Sequence, residues 1–169
     1  IIVDEAHKLP ETAQQMLGVT LAAEEIRNLI LQLKEERYLL AAEMLEDSTG
    51  PLLRKLAQPR EEAEPVEACL RLLTAPSCTL PIIQRQIGSL LSPLGSRQLN
   101  MVLDAVKLFT RPQTDMIFYT AEDVSTGGAM LCAAAGDITQ RIKKILWQPE
   151  QAFVLTSGTM AVGSDFRRF

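Results

Sequence analysis

Two apolar runs near opposite ends of the sequence constrain the fold most: "IIV" at residues 1–3 and "AFVL" at 152–155, each feeding directly into polar residues. Short apolar runs bounded by turn formers read as buried strands. Strands buried on both faces need lateral neighbours and covering helices. Between the two runs lies a long stretch with helical rather than strand periodicity. A helical block flanked by two buried strands is how an insertion into an α/β sheet looks in sequence. The chain therefore reads as a piece of a longer protein rather than as a complete domain.

The helical block begins where Thr20 can cap a long helix. Ala22, Ile26, Leu29, Ile30, Leu33, Leu40, Ala41, Met44 and Leu45 recur at helical spacing, with Glu24, Arg27, Gln32, Lys34 and Glu43 on the other face. The "EER" at 35–37 interrupts the stripe and predicts a bend, and "DSTGP" predicts a stop. "PLLRKLA" and "PREEAEPVEACLRLL" read as further helices, with Pro59 and Pro65 at first-turn positions. "LPIIQRQIGSLL" is another, and Ser96 can cap one carrying Leu99, Val102, Leu103, Val106 and Phe109. Residues 20–110 thus read as about five helices. The period then changes. "DMIFYTAE" and "AMLCAAA" flank "DVSTGG" and predict a hairpin. Asp137 can cap a helix through Leu146, and Asp165 a last short one. The expected segments are 1–19, 20–112 and 113–169.

Composition narrows the function. Net charge is −4, so the overall charge carries no nucleic-acid or membrane signature, and any DNA contact must rest on local basic patches. No segment approaches the length of a membrane span. Cys69, Cys78 and Cys132 are widely spaced and form no metal-ligand pattern with the single histidine, so buried thiols in a reducing cytoplasm are expected. Tyr38 and Trp147 read as packing residues.

Chemistry concentrates in "DEAH" after the first strand. In open α/β sheets, ligands bind beyond the carboxyl ends of strands. A phosphate-handling ATPase needs one carboxylate to hold Mg²⁺, commonly through water, and a second to orient the attacking water. Adjacent Asp4 and Glu5 supply both, because successive side chains point in different directions. His7, in the loop beyond, is placed to relay the nucleotide state. At the other end, "VLTSGT" brings the hydroxyls of Thr156, Ser157 and Thr159, which can hydrogen-bond a carboxylate or histidine on a neighbouring strand end. Asp4, Glu5 and His7 as joint ligands of a hydrolase metal suit the strand-and-loop spacing poorly.

Together the two ends resemble one family. "IIVDEAH" resembles the Walker B or DEAH box of superfamily 2 helicases. "VLTSGTM" followed by "DFRRF" resembles the Ser-Ala-Thr motif and its downstream segment, and "AAAGDITQRIKKILW" is similar to the same DinG-like, XPD-related branch. In that branch a helical arch is inserted between these motifs in the first RecA-like motor domain. The resemblance implies a mixed, mainly α fold: an arch-type insertion attached to part of a RecA-like α/β motor domain. It implies an ATP-dependent DNA helicase, cytoplasmic, working on single-stranded or forked DNA in repair or replication. Glu5 matches the water-activating position and Asp4 the Mg²⁺ position. His7, Ser157 and Thr159 match the coupling positions. Gly158 stands where the family has Ala, and Lys8 where Asn is frequent.

The arch implies backbone contacts to DNA, for which Arg54, Lys55, Arg60, Arg85, Arg97, Lys107 and Arg111 are candidates. ATP and Mg²⁺ are the implied cofactors of the full-length protein. No GxxxxGK[ST] phosphate loop occurs in the sequence, so the isolated chain is expected neither to bind ATP tightly nor to hydrolyse it. Many XPD-related members also carry an iron–sulfur cluster upstream of the DEAH box, on which these residues are silent. Strand edges at 1–3 and 152–156 invite pairing within the chain, or between copies as a dimer or strand-swapped oligomer. The rival reading is a helical protein-interaction module with a vestigial DEAH motif.

Overall fold

The computed structural model describes residues 2–9, 12–13, 18–58, 66–111, 115–137, 142–144, 152 and 154–157. The chain is mainly helical, with a small antiparallel three-stranded sheet. It divides into two compact units. One comprises 1–18, 115–117 and 134–169, the other 19–114 and 118–133. Most of the hairpin therefore belongs with the helices, whereas the sequence grouped all of 113–169 with the motor.

The larger unit starts with strand β2, Val19–Ala22, and not with a helix. Thr20 is part of this strand and caps nothing. It lies opposite Cys132 in an antiparallel register that also pairs Leu21 with Leu131 and Ala22 with Met130. Pairing with a buried partner strand wins here over helical periodicity. Helix α1, Ala23–Glu35, follows directly. Its start is secured by Glu25, whose Oε2 accepts the Ala22 N–H at 2.8 Å. Burial pushes the Glu25 carboxyl above the usual glutamate value, and the charges of Asp123 and Glu24 add to this.

The bend expected at "EER" is a full break. Arg37 adopts a left-handed φ of 67°, and helix α2 restarts at Leu39 and runs to Leu56. The stop expected at "DSTGP" does not occur, because Pro51 sits inside α2. An interior proline costs about 3 kcal/mol. Leu45, Leu52 and Leu56 are buried on this helix, and each such leucine contributes roughly 1.5–3 kcal/mol. Thr49 donates to the Leu45 carbonyl at 2.7 Å. "PLLRKLA" is thus the end of α2 rather than a separate helix.

Helices α3, Val66–Leu72, and α4, Thr74–Ile87, come next. Helix α5 spans Pro93–Thr110, and its cap is Ser92 rather than the expected Ser96. The Ser92 hydroxyl accepts the Gly95 N–H at 3.1 Å, and Pro93 fills the first helical position, where its missing N–H costs nothing. Five helices are described in this block, as expected, but their divisions differ.

In the packing, α1 contacts α2 and α5, while α4 contacts the same two, closing a ring of four helices. At one end of this ring the α1–α2 turn meets the α4–α5 turn through Glu36. Its carboxylate accepts the Ser92 N–H at 2.9 Å and the Ser92 hydroxyl at 2.6 Å. These bonds hold the Glu36 carboxyl below its ordinary value. A side chain at Gly95 would meet Glu36 Oε1 at 2.5 Å, so the Glu36 carboxylate would have to shift from its bonds to Ser92.

At the other end, β3, Met116–Glu122, and β4, Ala129–Ala135, form the expected hairpin. The strand order is β2-β4-β3. β4 is central and buried on both faces, which is why its sequence is continuously apolar. Phe109 of α5 meets Phe118 of β3 edge-to-face at 5.6 Å and 61°. Cys69 and Cys132 are buried as expected, whereas Cys78 is exposed. Tyr38 packs partly buried and donates to the Leu90 carbonyl at 3.3 Å. Trp147, Pro59, Pro65 and Asp165 lie outside the described residues, as does most of the helix expected after Asp137.

Among the described residues no single helix is long and apolar enough to cross a membrane. Helices α3 and α4 together reach that length and composition, but they are bent by 41°, and Leu73, Leu80 and Ile83 are buried in the folded chain.

Candidate active site

The smaller unit contains the two strand ends singled out in the sequence. β1, Ile2–Val3, and β5, Val154–Leu155, pair in parallel, with Ile2 opposite Val154 and Val3 opposite Leu155. Parallel pairing puts the carboxyl ends of both strands on the same side, so the DEAH loop and the Thr156–Ser157 turn emerge together. Ile2 and Val154 remain exposed.

Thr156 ties the two segments by its backbone. Its N–H donates to the Val3 carbonyl at 2.9 Å, and its carbonyl accepts the Ala6 N–H at 3.0 Å. Ala6 is 1% exposed and begins a 3₁₀ turn over Ala6–Lys8. The chain enters that turn through Glu5, whose φ of 51° and ψ of 43° are left-handed. Such a conformation costs a non-glycine residue roughly 1–2 kcal/mol. Strained backbone of this kind clusters at functional sites.

The side chains converge. Asp4 Oδ1 accepts the Thr156 hydroxyl at 2.7 Å and the Glu5 N–H at 2.9 Å. These two bonds, the hydroxyl first, hold the Asp4 carboxyl below its ordinary value and keep it ionised. Glu5 Oε2 lies 3.0 Å from His7 Nδ1. The same nitrogen lies 2.7 Å from Ser157 Oγ. A bare lone pair at Nδ1 would repel the carboxylate, so the Glu5 contact calls for a proton there. That N–H then reaches both the Glu5 carboxylate and the Ser157 oxygen.

Asp4, Glu5, His7, Thr156 and Ser157 are thus brought together. Thr159 and Gly158 lie outside the described residues. The resemblance implies the coupling role for Ser157 and Thr159. Thr156, expected with them as a hydroxyl able to bond a carboxylate, makes the direct bond to Asp4. Among the described residues no group of three or more His, Cys, Asp or Glu side chains is arranged to hold a metal ion.

The described basic candidates of the helical unit are spread over several helix ends. Arg85 and Arg97 are exposed near the α4–α5 turn. Lys107, paired with Asp104 at 3.3 Å, lies near the opposite end of α5 with exposed Arg111, about 15 Å or more from Arg97 along the axis. Arg54 is exposed and Lys55 partly buried in the last turn of α2. Arg60 lies outside the described residues.

No protein-family model matches this sequence, and no curated protein matches it.

Proposed function

We propose that this chain is a segment of an ATP-dependent DNA helicase of the DinG-like, XPD-related kind, cytoplasmic and serving repair or replication. On this reading the β1–β5 unit is part of a RecA-like motor and the helical unit is the arch inserted into it. One observation carries the reading. Two sequence stretches separated by about 150 residues meet at the same ends of parallel strands, with Thr156 on Asp4 and Ser157 on His7.

The Asp4 carboxylate suits Mg²⁺ held through water. Asp4 is an ionised carboxylate with one oxygen saturated by hydrogen bonds, and its Oδ2 has no partner among the described residues. Bound Mg²⁺ would supply charge neutralisation on the phosphates. Asp4 would hold it through water, since Mg²⁺ keeps much of its hydration shell. Glu5 would orient and polarise the attacking water once its carboxylate leaves His7. His7, alternating between Glu5 and Ser157, would carry the state of that carboxylate to the neighbouring loop. The phosphate loop and second motor domain would come from the rest of the protein. Backbone contacts to single-stranded or forked DNA are assigned to Arg54, Lys55, Arg60, Arg85, Arg97, Lys107 and Arg111.

A second reading draws on a different observation. Leu39, Leu40, Leu90 and Leu94 are all exposed near the end of the helical ring closed by Glu36. They suit a protein-interaction module in which the DEAH residues are vestigial.

ATP turnover by the intact protein, titrated with single-stranded DNA, separates the two. The helicase reading predicts Mg²⁺-dependent turnover that rises with DNA, and DNA binding that weakens steeply with salt. No turnover and salt-tolerant capture of a protein would establish the module instead.

A further inference from the structure

We infer that Thr156 is a positioning residue that fixes the rotamer of Asp4 so that Oδ2, and not Oδ1, faces the metal. This rests on the helicase reading and gives Thr156 a defined part in holding the metal.

Three bonds join Thr156 to the DEAH loop, and they differ in what they can do. The backbone pair, Thr156 N–H to Val3 O and Ala6 N–H to Thr156 O, fixes where the loop leaves the strand. Any residue could make those two bonds. The third, hydroxyl to Asp4 Oδ1 at 2.7 Å, needs Ser or Thr. An aspartate in an exposed loop samples several staggered rotamers unless something selects one. Here Oδ1 takes the Thr156 hydroxyl from across the strand pair and the Glu5 N–H from its own chain. Two donors on one oxygen favour a single orientation. Oδ2 is then the oxygen left for a metal, with no partner among the described residues.

The second donor depends on local conformation. The Glu5 N–H lies in the peptide plane that joins it to Asp4, so the Asp4 backbone sets its direction. That amide and the threonine therefore act on one atom. A threonine is also stiffer at χ1 than a serine, because its branched β-carbon restricts rotation. The hydroxyl is accordingly held ready rather than ordered afresh at each metal-binding event, which lowers the cost of binding.

The test compares Thr156→Val, which keeps the branched shape without the hydroxyl, with Thr156→Ser, which keeps the hydroxyl. In the chain described here, three-bond Hα–Hβ couplings of Asp4 report its rotamer without any cofactor. One rotamer is expected in the parent and in T156S, and averaging in T156V. Averaging in the parent, or a single rotamer retained in T156V, overturns the inference. In the intact protein, T156V should raise the Mg²⁺ concentration for half-maximal ATP turnover by about fivefold or more. Turnover at saturating Mg²⁺ should stay within about twofold, and T156S should restore the parent value. An unchanged Mg²⁺ requirement in T156V, with normal parent turnover, rejects the metal role of Thr156 alone. A parent with no turnover rejects the helicase reading, and the metal role falls with it, while the couplings still decide whether Thr156 orders Asp4.

Discussion

Replacing Glu5 with Gln should lower ATP turnover of the intact protein by about 10²- to 10⁴-fold, the usual contribution of a positioned general base. Gln keeps the shape and the hydrogen-bonding reach of the side chain but cannot polarise a water as a carboxylate does. Asp4 is untouched by the change, so the KM for Mg²⁺–ATP should move little. Fold stability should also hold, because Glu5 is exposed and its contact with His7 is a partly exposed one of small worth. Steady-state turnover with saturating Mg²⁺, alongside a melting curve, checks both halves. Turnover within tenfold of the parent would remove Glu5 from the mechanism.

The largest effect on stability is expected at Phe109. Its ring is 1% exposed and meets Phe118 edge-to-face where α5 packs near β3. Phe109→Ala removes the packed surface and the aromatic pair and leaves a cavity, at a cost of about 3–5 kcal/mol. Whole domains are commonly stable by only about 5–15 kcal/mol. Urea denaturation should therefore show a midpoint lowered by about 1 M or more, with a slope close to the parent's. Phe109→Leu, which keeps most of the volume, should cost less than about 1.5 kcal/mol. A loss below about 1 kcal/mol for the alanine variant would mean that the α5–β3 junction is not part of the core.

Some of this architecture was legible before any coordinates. The strand ends were, because a short apolar run feeding directly into polar residues has few other uses, although Ile2 and Val154 are exposed rather than buried. The sequence leaves open whether the strands pair within the chain or between copies, and their parallel pairing within the chain is settled by the structure. The hairpin was legible from the turn formers between two apolar runs. β2 was not. "VTLA" is only four residues, and its apolar positions continue in phase with α1, so helical periodicity masked a strand defined by its partner β4. Pro51 misled in the opposite sense. Local chemistry favours a stop at "DSTGP", but burial of Leu52 and Leu56 beyond it outweighs one lost hydrogen bond. Ser92 rather than Ser96 is the cap, and the Pro93 that follows it is a local signal for that start. Glu36, more than fifty residues away, adds two bonds to Ser92 that no local window shows.

At the site, the sequence could name the acids and the hydroxyl cluster but not which hydroxyl meets which acid. Residue type sets what bonds are possible, while the strand register selects among them. The pairing of Val3 with Leu155 puts Thr156 opposite Asp4 and leaves Ser157 for His7. A slip of one residue would have put Leu155 or Ser157 opposite Asp4 instead.

The central claim is that the loops at residues 4–7 and 156–157 work as one unit that links ATP turnover to DNA. A double-mutant cycle tests it most directly: His7→Ala, Ser157→Ala and both together, read as the ratio of turnover with and without saturating single-stranded DNA. The account predicts that each single change lowers that ratio by about fivefold or more and that the double variant is no worse than either. Losses that multiply in the double variant, or a ratio that neither change moves, would contradict it.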